Sequence, residues 1–347
     1  MKRLQSIILA LAICLTASIG FRGFPVSAAG SRPVVYVSGE GRDENTGASP
    51  EQALLTLTKA FEVLGGEGGT ISLEGEVSLE GTAFSEPSHA GKVTVTGGTL
   101  VFPADFLYTL GGSTLFESMA LQYSGSLVFA AGFHPIEFGE GLITSTDAEE
   151  SGIVVVGGFQ APVSGSETAL DSHITIRSGD YQTVCGFSRK KGAKTQTYTG
   201  TSHIRIEGGA VQTVYGAALE NHYCQNAEIT VNGGAVGMIY AAGDATRRIN
   251  GNADIFLNGG SVGEVVFNNV VGKGLLSLDG SVLHSVSVSY GSSAVEALCV
   301  NSVLKLRYNS ILYTAAEAAE LGASLDELLP YGRVYVKSDG SGDGLTP

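Results

Sequence analysis

Four stretches of this chain repeat one pattern, and that repetition constrains the fold more than any other feature. They are SHITIRSGDYQTVCGF from Ser172, SHIRIEGGAVQTVYGA from Ser202, NAEITVNGGAVGMIYA from Asn226 and NADIFLNGGSVGEVVF from Asn252. Each holds an alternating strand, a Ser-Gly or Gly-Gly pair, and a second short strand. The aligned isoleucines Ile174, Ile204, Ile229 and Ile255 are 30, 25 and 26 residues apart. A fainter copy starts at Gly274, and 70–81 and 91–102 follow the same grammar. A unit this small cannot bury its own apolar face, but it can when stacked in parallel on a neighbour. Alternation turns Ile174 and Ile176 inward and Thr175 outward, and Ile204 and Ile206 repeat this around Arg205. The glycine pairs supply the positive φ that corners need. The rival repeat architecture, a β-propeller, needs blades of about 40 residues.

These spacings predict an all-β chain, a parallel β-helix over about 33–310. Cys185, Tyr215, Tyr240 and Phe267 are expected to stack as one ladder of similar bulk. An apolar fraction of 43% is enough for a core, so 49 glycines signal tight turns rather than disorder. Open solenoid ends need covers. Residues 49–65 read as an N-terminal cap helix, with Ser49 as N-cap, Pro50 at N1, Gln52 at N3 and Gly65 as the stop. Leu54, Leu57, Phe61 and Leu64 form its apolar face. Residues 311–332 read as a short helical cap or linker.

Residues 1–28 have the form of a secretory signal peptide: Lys2 and Arg3, then an apolar run at 7–20, then small residues ending at Ala28. The formal charge is −14 for the whole chain, and this leader carries three of its cationic residues. A surface this acidic repels phosphate backbones, which argues against nucleic acid as a partner. No membrane span is expected in the mature chain. Cys14 falls in the leader; Cys185, Cys224 and Cys299 have no zinc-type spacing and read as small buried hydrophobes.

The stretch VYVSGEGRDENTGASPEQALLTLTKAF, from Val35, resembles the entry segment of right-handed parallel β-helix proteins of the pectin-lyase-like superfamily. The repeats resemble those of adhesin-like bacterial surface proteins. The closing VYVKSDGSGDGLTP, 334–347, is similar to a second entry segment, so 333–347 is expected to begin a further module. The resemblance implies that this β-helix is right-handed, and it implies a secreted or cell-surface location. It also implies either a non-catalytic adhesin-like role or a polysaccharide lyase or glycoside hydrolase. Lyases of this kind use clustered carboxylates for Ca²⁺ with a Lys or Arg base, and hydrolases often use an Asp-Asp pair. The chain contains no Asp-Asp, and its repeat strands carry few carboxylates, among them Glu207, Glu228 and Asp254.

The candidate site is instead a set of loops expected to leave one corner of the coil. They bring Arg189, Lys190, Lys191 and Lys194, then His222 and Tyr223, then Arg247 and Arg248. A basic and aromatic patch of this kind suits acidic glycans on polysaccharides or host surfaces. His173 and His203 align with Glu228 and Asp254, and this column reads as polar strand-entry residues rather than as a metal site. DGSGDG at 339–344 has Ca²⁺-like Asp spacing but lacks the distal Glu of an EF-hand, so it reads as a turn. No other cofactor is expected. A structural spacer between modules is the remaining alternative.

Overall fold

The computed structural model describes residues 32–148, 151–160, 169–189, 196–219, 222–243, 248–279, 281–288, 295–300, 303–304 and 333–336. The chain divides into 1–32 and 33–347, and only Arg32 of the first unit is described. The second unit is a parallel β-solenoid. Its longest sheet starts at Val34–Ser38 and continues through Gly69–Glu74, Val93–Thr96, Thr114–Glu117, Ile136–Phe138 and Ser172–Ile176. It then runs through Gln196–Ile206, His222–Val231, Ala253–Leu257, Gly274–Asp279 and Val295–Val300. A second sheet runs from Ala83–Ser85 to Val303–Leu304, and a third, of four strands, from Glu76–Ser78 to Ile143–Thr146. In later coils the long sheet is extended at the start of its strands, where Gln196–Tyr198, His222–Cys224 and Arg248–Ile249 stack in parallel, beyond a register shift between Tyr198 and Thr201.

The isoleucine column is an inward ladder: Ile174, Ile204, Ile229, Ile255 and Leu276 are successive partners, and all are buried. Each such side chain contributes about 1.5–3 kcal/mol on burial. Earlier coils fill the interior with Phe102, Phe106, Tyr108, Phe116, Phe129 and Phe138, mostly in edge-to-face pairs with centroids 5.1–6.3 Å apart.

The glycine pairs are required by stacking as well as by conformation. Gly209, Gly234 and Gly260 have φ of 75°, 78° and 74°. A Cβ on each would lie 2.4–2.6 Å from the carbonyl oxygen of the equivalent glycine one coil earlier. Backbone meets backbone at this corner, so no side chain fits.

Two expectations need correction. The partner of Tyr240 is Val266, so the outward column runs Cys185, Tyr215, Tyr240, Val266, and Phe267 turns inward and is buried. A one-residue offset exchanges the faces of a strand. The expected cap helix is two pieces. Pro50–Gln52 is a single 3₁₀ turn, and the α-helix is Leu57–Leu64. Between them Leu54 is drawn into pairing with the first strand: its N–H donates to Tyr36 O and its carbonyl accepts from Ser38 N–H. Asp43 reorganises the helix start, accepting from the N–H groups of Leu55 and Thr56 and from the Thr56 hydroxyl. Thr56, not Ser49, is the N-cap, accepting from Lys59 N–H. Gly65 ends the helix as expected, and Leu54, Leu57, Phe61 and Leu64 are all buried. Residues 311–332 lie outside the described residues. The second Val-Tyr-Val belongs to Arg333–Val336, which runs antiparallel to Val295–Val300 at the end of the long sheet.

Candidate functional site

The second-sheet strands that end at Cys185, Tyr215 and Tyr240 are in register, as are the strands that resume at Gln196, His222 and Arg248. Between these ends and starts, residues 190–195, 220–221 and 244–247 lie outside the described residues. Arg189 is described and half-buried. Lys190, Lys191, Lys194 and Arg247 lie outside the described residues. His222 pairs with Gln196, and Tyr223 sits between Thr197 and Arg248, so register brings His222, Tyr223 and Arg248 onto adjacent strands. Tyr223 is 45% exposed, although it lies in a strand. On the facing end, the half-buried rings of Tyr215 and Tyr240 stack with centroids 5.1 Å apart and planes 8° apart. That spacing is the rung spacing of the solenoid.

A second cluster lies on the outward face of the long sheet. His173, His203, Glu228 and Asp254 are consecutive partners, as the aligned sequence requires. The two imidazoles are parallel within 3°, with centroids 4.8 Å apart, and His203 Nδ1 is 3.7 Å from Glu228 Oε2. Partial burial, then the neighbouring His203, lowers the His173 pKa. Partial burial, then the Glu228 charge, raises that of Asp254. The structure adds a residue that the sequence reading passed over. Asp171 brings a carboxylate oxygen to within 4.8 Å of ligand atoms on both histidines. Its signal was in the sequence: in extended chain, residues i and i+2 share a face, so Asp171 and His173 point the same way.

Sequence reasoning also missed a polar network buried in the early coils. The Glu86 carboxylate accepts from the Tyr108 hydroxyl at 2.9 Å, Gly111 N–H at 3.0 Å and the Thr114 hydroxyl at 2.9 Å. His89 Nε2 lies 3.0 Å from Glu86 Oε2, and its Nδ1 lies 2.8 Å from the Gly91 carbonyl. With an acceptor facing each ring nitrogen, His89 fits the imidazolium form. Burial pulls its pKa down, but the Glu86 hydrogen bond, the Gly91 carbonyl and the Glu86 charge together raise it. The side chains of Glu86 and His89 are 0% and 2% exposed, so this group ties coils together and does not meet a ligand.

Among the described residues, clefts open to solvent in at least two places. One of about 510 Å³ lies beside the cap helix, between Leu55, Thr58, Glu76, Glu80 and Phe84. A smaller one of about 220 Å³ is lined by Tyr123, Asp180, Tyr181, Gln182 and Gln212. Each offers few carboxylates, and neither pairs them with a Lys or Arg base. Among the described residues no helix is long and apolar enough to cross a membrane. Comparison with protein-family models, with curated proteins and with solved structures finds no match.

Proposed function

We propose that this chain is a secreted or cell-surface β-helix module that contacts acidic glycans along its loop edge, without catalysis. The observation that carries this reading is the register of the strands into which the loops lead, Gln196–Tyr198, His222–Cys224 and Arg248–Ile249, which pair one rung apart. Those strands are about 4.8 Å apart, so a linear chain lying along the solenoid would meet the loops in succession. Arg189, Lys190, Lys191, Lys194, Arg247 and Arg248 would supply charge to a uronate or sialylated chain, and His222 and Tyr223 would supply hydrogen bonds and apolar ring surface. The overall acidity of the chain makes such a basic strip locally selective.

The test is a glycan array probed with the purified chain, followed by titration with soluble polyuronate. Binding that weakens with salt, and that is lost when Lys190, Lys191 and Arg248 become Ala, supports the reading. Appearance of an ultraviolet-absorbing unsaturated product during the titration would replace it with a lyase. Absence of both signals would leave a spacer between modules.

A further inference from the structure

The outward cluster on the long sheet carries a separate inference, independent of the glycan reading. Asp171 and His173 leave the same face of one strand approach, and His203 is the direct partner of His173 on the next coil. One oxygen of Asp171 accepts from Thr201 N–H at 2.7 Å, which ties this carboxylate to the strand that bears His203. The parallel imidazoles, 4.8 Å apart, and the Asp171 carboxylate thus converge from two coils on one point above the sheet. Glu228 stands one coil further, its Oε2 3.7 Å from His203 Nδ1.

We propose that Asp171, His173 and His203 bind a divalent cation of the Zn²⁺ class, with the fourth position left to water or a ligand oxygen. Two imidazoles and a carboxylate suit Zn²⁺, Ni²⁺ or Cu²⁺, whereas Ca²⁺ demands six or more oxygens, which this cluster lacks. Tetrahedral bonds of about 2.0–2.1 Å hold donor atoms about 3.3 Å apart. The donor atoms of the triad lie within 4.8 Å of one another, so closing on an ion needs movements of about 1.5 Å at most. Asp171 and His173 are exposed and His203 is half-exposed, so side-chain rotation supplies that movement without disturbing the inward Ile174–Ile204 ladder. An ion held there would join two successive coils through their outward faces and remain accessible to water or a ligand oxygen.

The experiment uses the full chain without a histidine tag, stripped with a chelator and titrated with Co²⁺ and, separately, Zn²⁺. The expected result is one equivalent bound at micromolar concentration, with the visible absorption of tetrahedral Co²⁺. His173→Gln and His203→Gln should each weaken binding by at least about tenfold, and Asp171→Asn by several-fold, while His134→Gln leaves it unchanged. Far-UV circular dichroism checks that each variant is folded. A second readout needs no variant: Zn²⁺ should protect His173 and His203 of the unaltered chain from diethyl pyrocarbonate. No Co²⁺ spectrum and no protection would overturn the proposal. So would binding that survives the His173→Gln/His203→Gln double substitution.

Discussion

Removing the Glu86 carboxylate tests whether a buried charge anchors the early coils. Four donors converge on it: the Tyr108 and Thr114 hydroxyls, Gly111 N–H and the His89 ring. In Glu86→Ala the imidazolium loses its counter-ion, and two buried hydroxyls lose an acceptor. Breaking a buried pair from one side costs about 3–5 kcal/mol. Each unsatisfied hydroxyl adds about 1–3 kcal/mol before relaxation. Neutralisation of His89 and entry of water recover part of this, so about 4 kcal/mol is the expected loss. In a solenoid that loss is felt locally, because each coil contacts only its neighbours. Native-state hydrogen exchange on peptides covering 83–114 is therefore the assay, and the expected drop in protection is about a thousandfold.

His89 adds a signature in pH. Its folded pKa is raised above the ordinary 6.5, so the folded state holds the proton more tightly than the unfolded chain. The contribution is complete below the unfolded value and disappears as pH rises through the higher folded value. The stability advantage of the natural chain over His89→Gln should shrink across that window. In a double-mutant cycle, Glu86→Ala and His89→Ala should couple by about 2 kcal/mol. Protection that falls less than tenfold in Glu86→Ala, together with a pH profile that His89→Gln leaves unaltered, would refute the reasoning.

Gly234→Ala should destabilise the chain by more than 1 kcal/mol in urea titration, as the left-handed φ of 78° and a Cβ 2.4 Å from Gly209 O both resist a side chain. Gly65→Ala is the milder comparison, since nothing lies within 4 Å of its Cβ and only φ opposes it. Cys185 and Cys224 should resist maleimide in the native state and react once urea unfolds the chain, as peptide mass spectrometry would show. Burial pushes the Cys185 thiol up to about 12 and that of Cys224 higher still.

What was legible in the sequence was what repeats. The inward isoleucines follow from period-2 alternation, and the glycine corners follow from positive φ, both of which are local rules. The register slip at Val266 and Phe267 arose because both residues favour strands; the inward positions of Val262 and Val265 decide between them. The helix start was lost to a contact across the chain, since Asp43 reaches Leu55 and Thr56 from outside any local capping pattern. The Glu86 network is non-local in the same way, with partners up to 28 residues away. For the candidate sites, comparing one column found His173, His203, Glu228 and Asp254 but hid Asp171, two residues along. The basic loops do not repeat, so no pattern located their side chains.

The common register of successive coils makes this protein a ruler with fixed graduations. Ser202 pairs with Ala227, and the strands on either side hold the same alignment. Excising 202–226 would therefore join Thr201 to Ala227 with every inward position still facing inward and every glycine corner still over another. The chain can lose or gain a whole coil and change its length by about 4.8 Å, without any new kind of contact. Insertions in the loops leave that scale untouched, while a single residue added within a strand would scramble it.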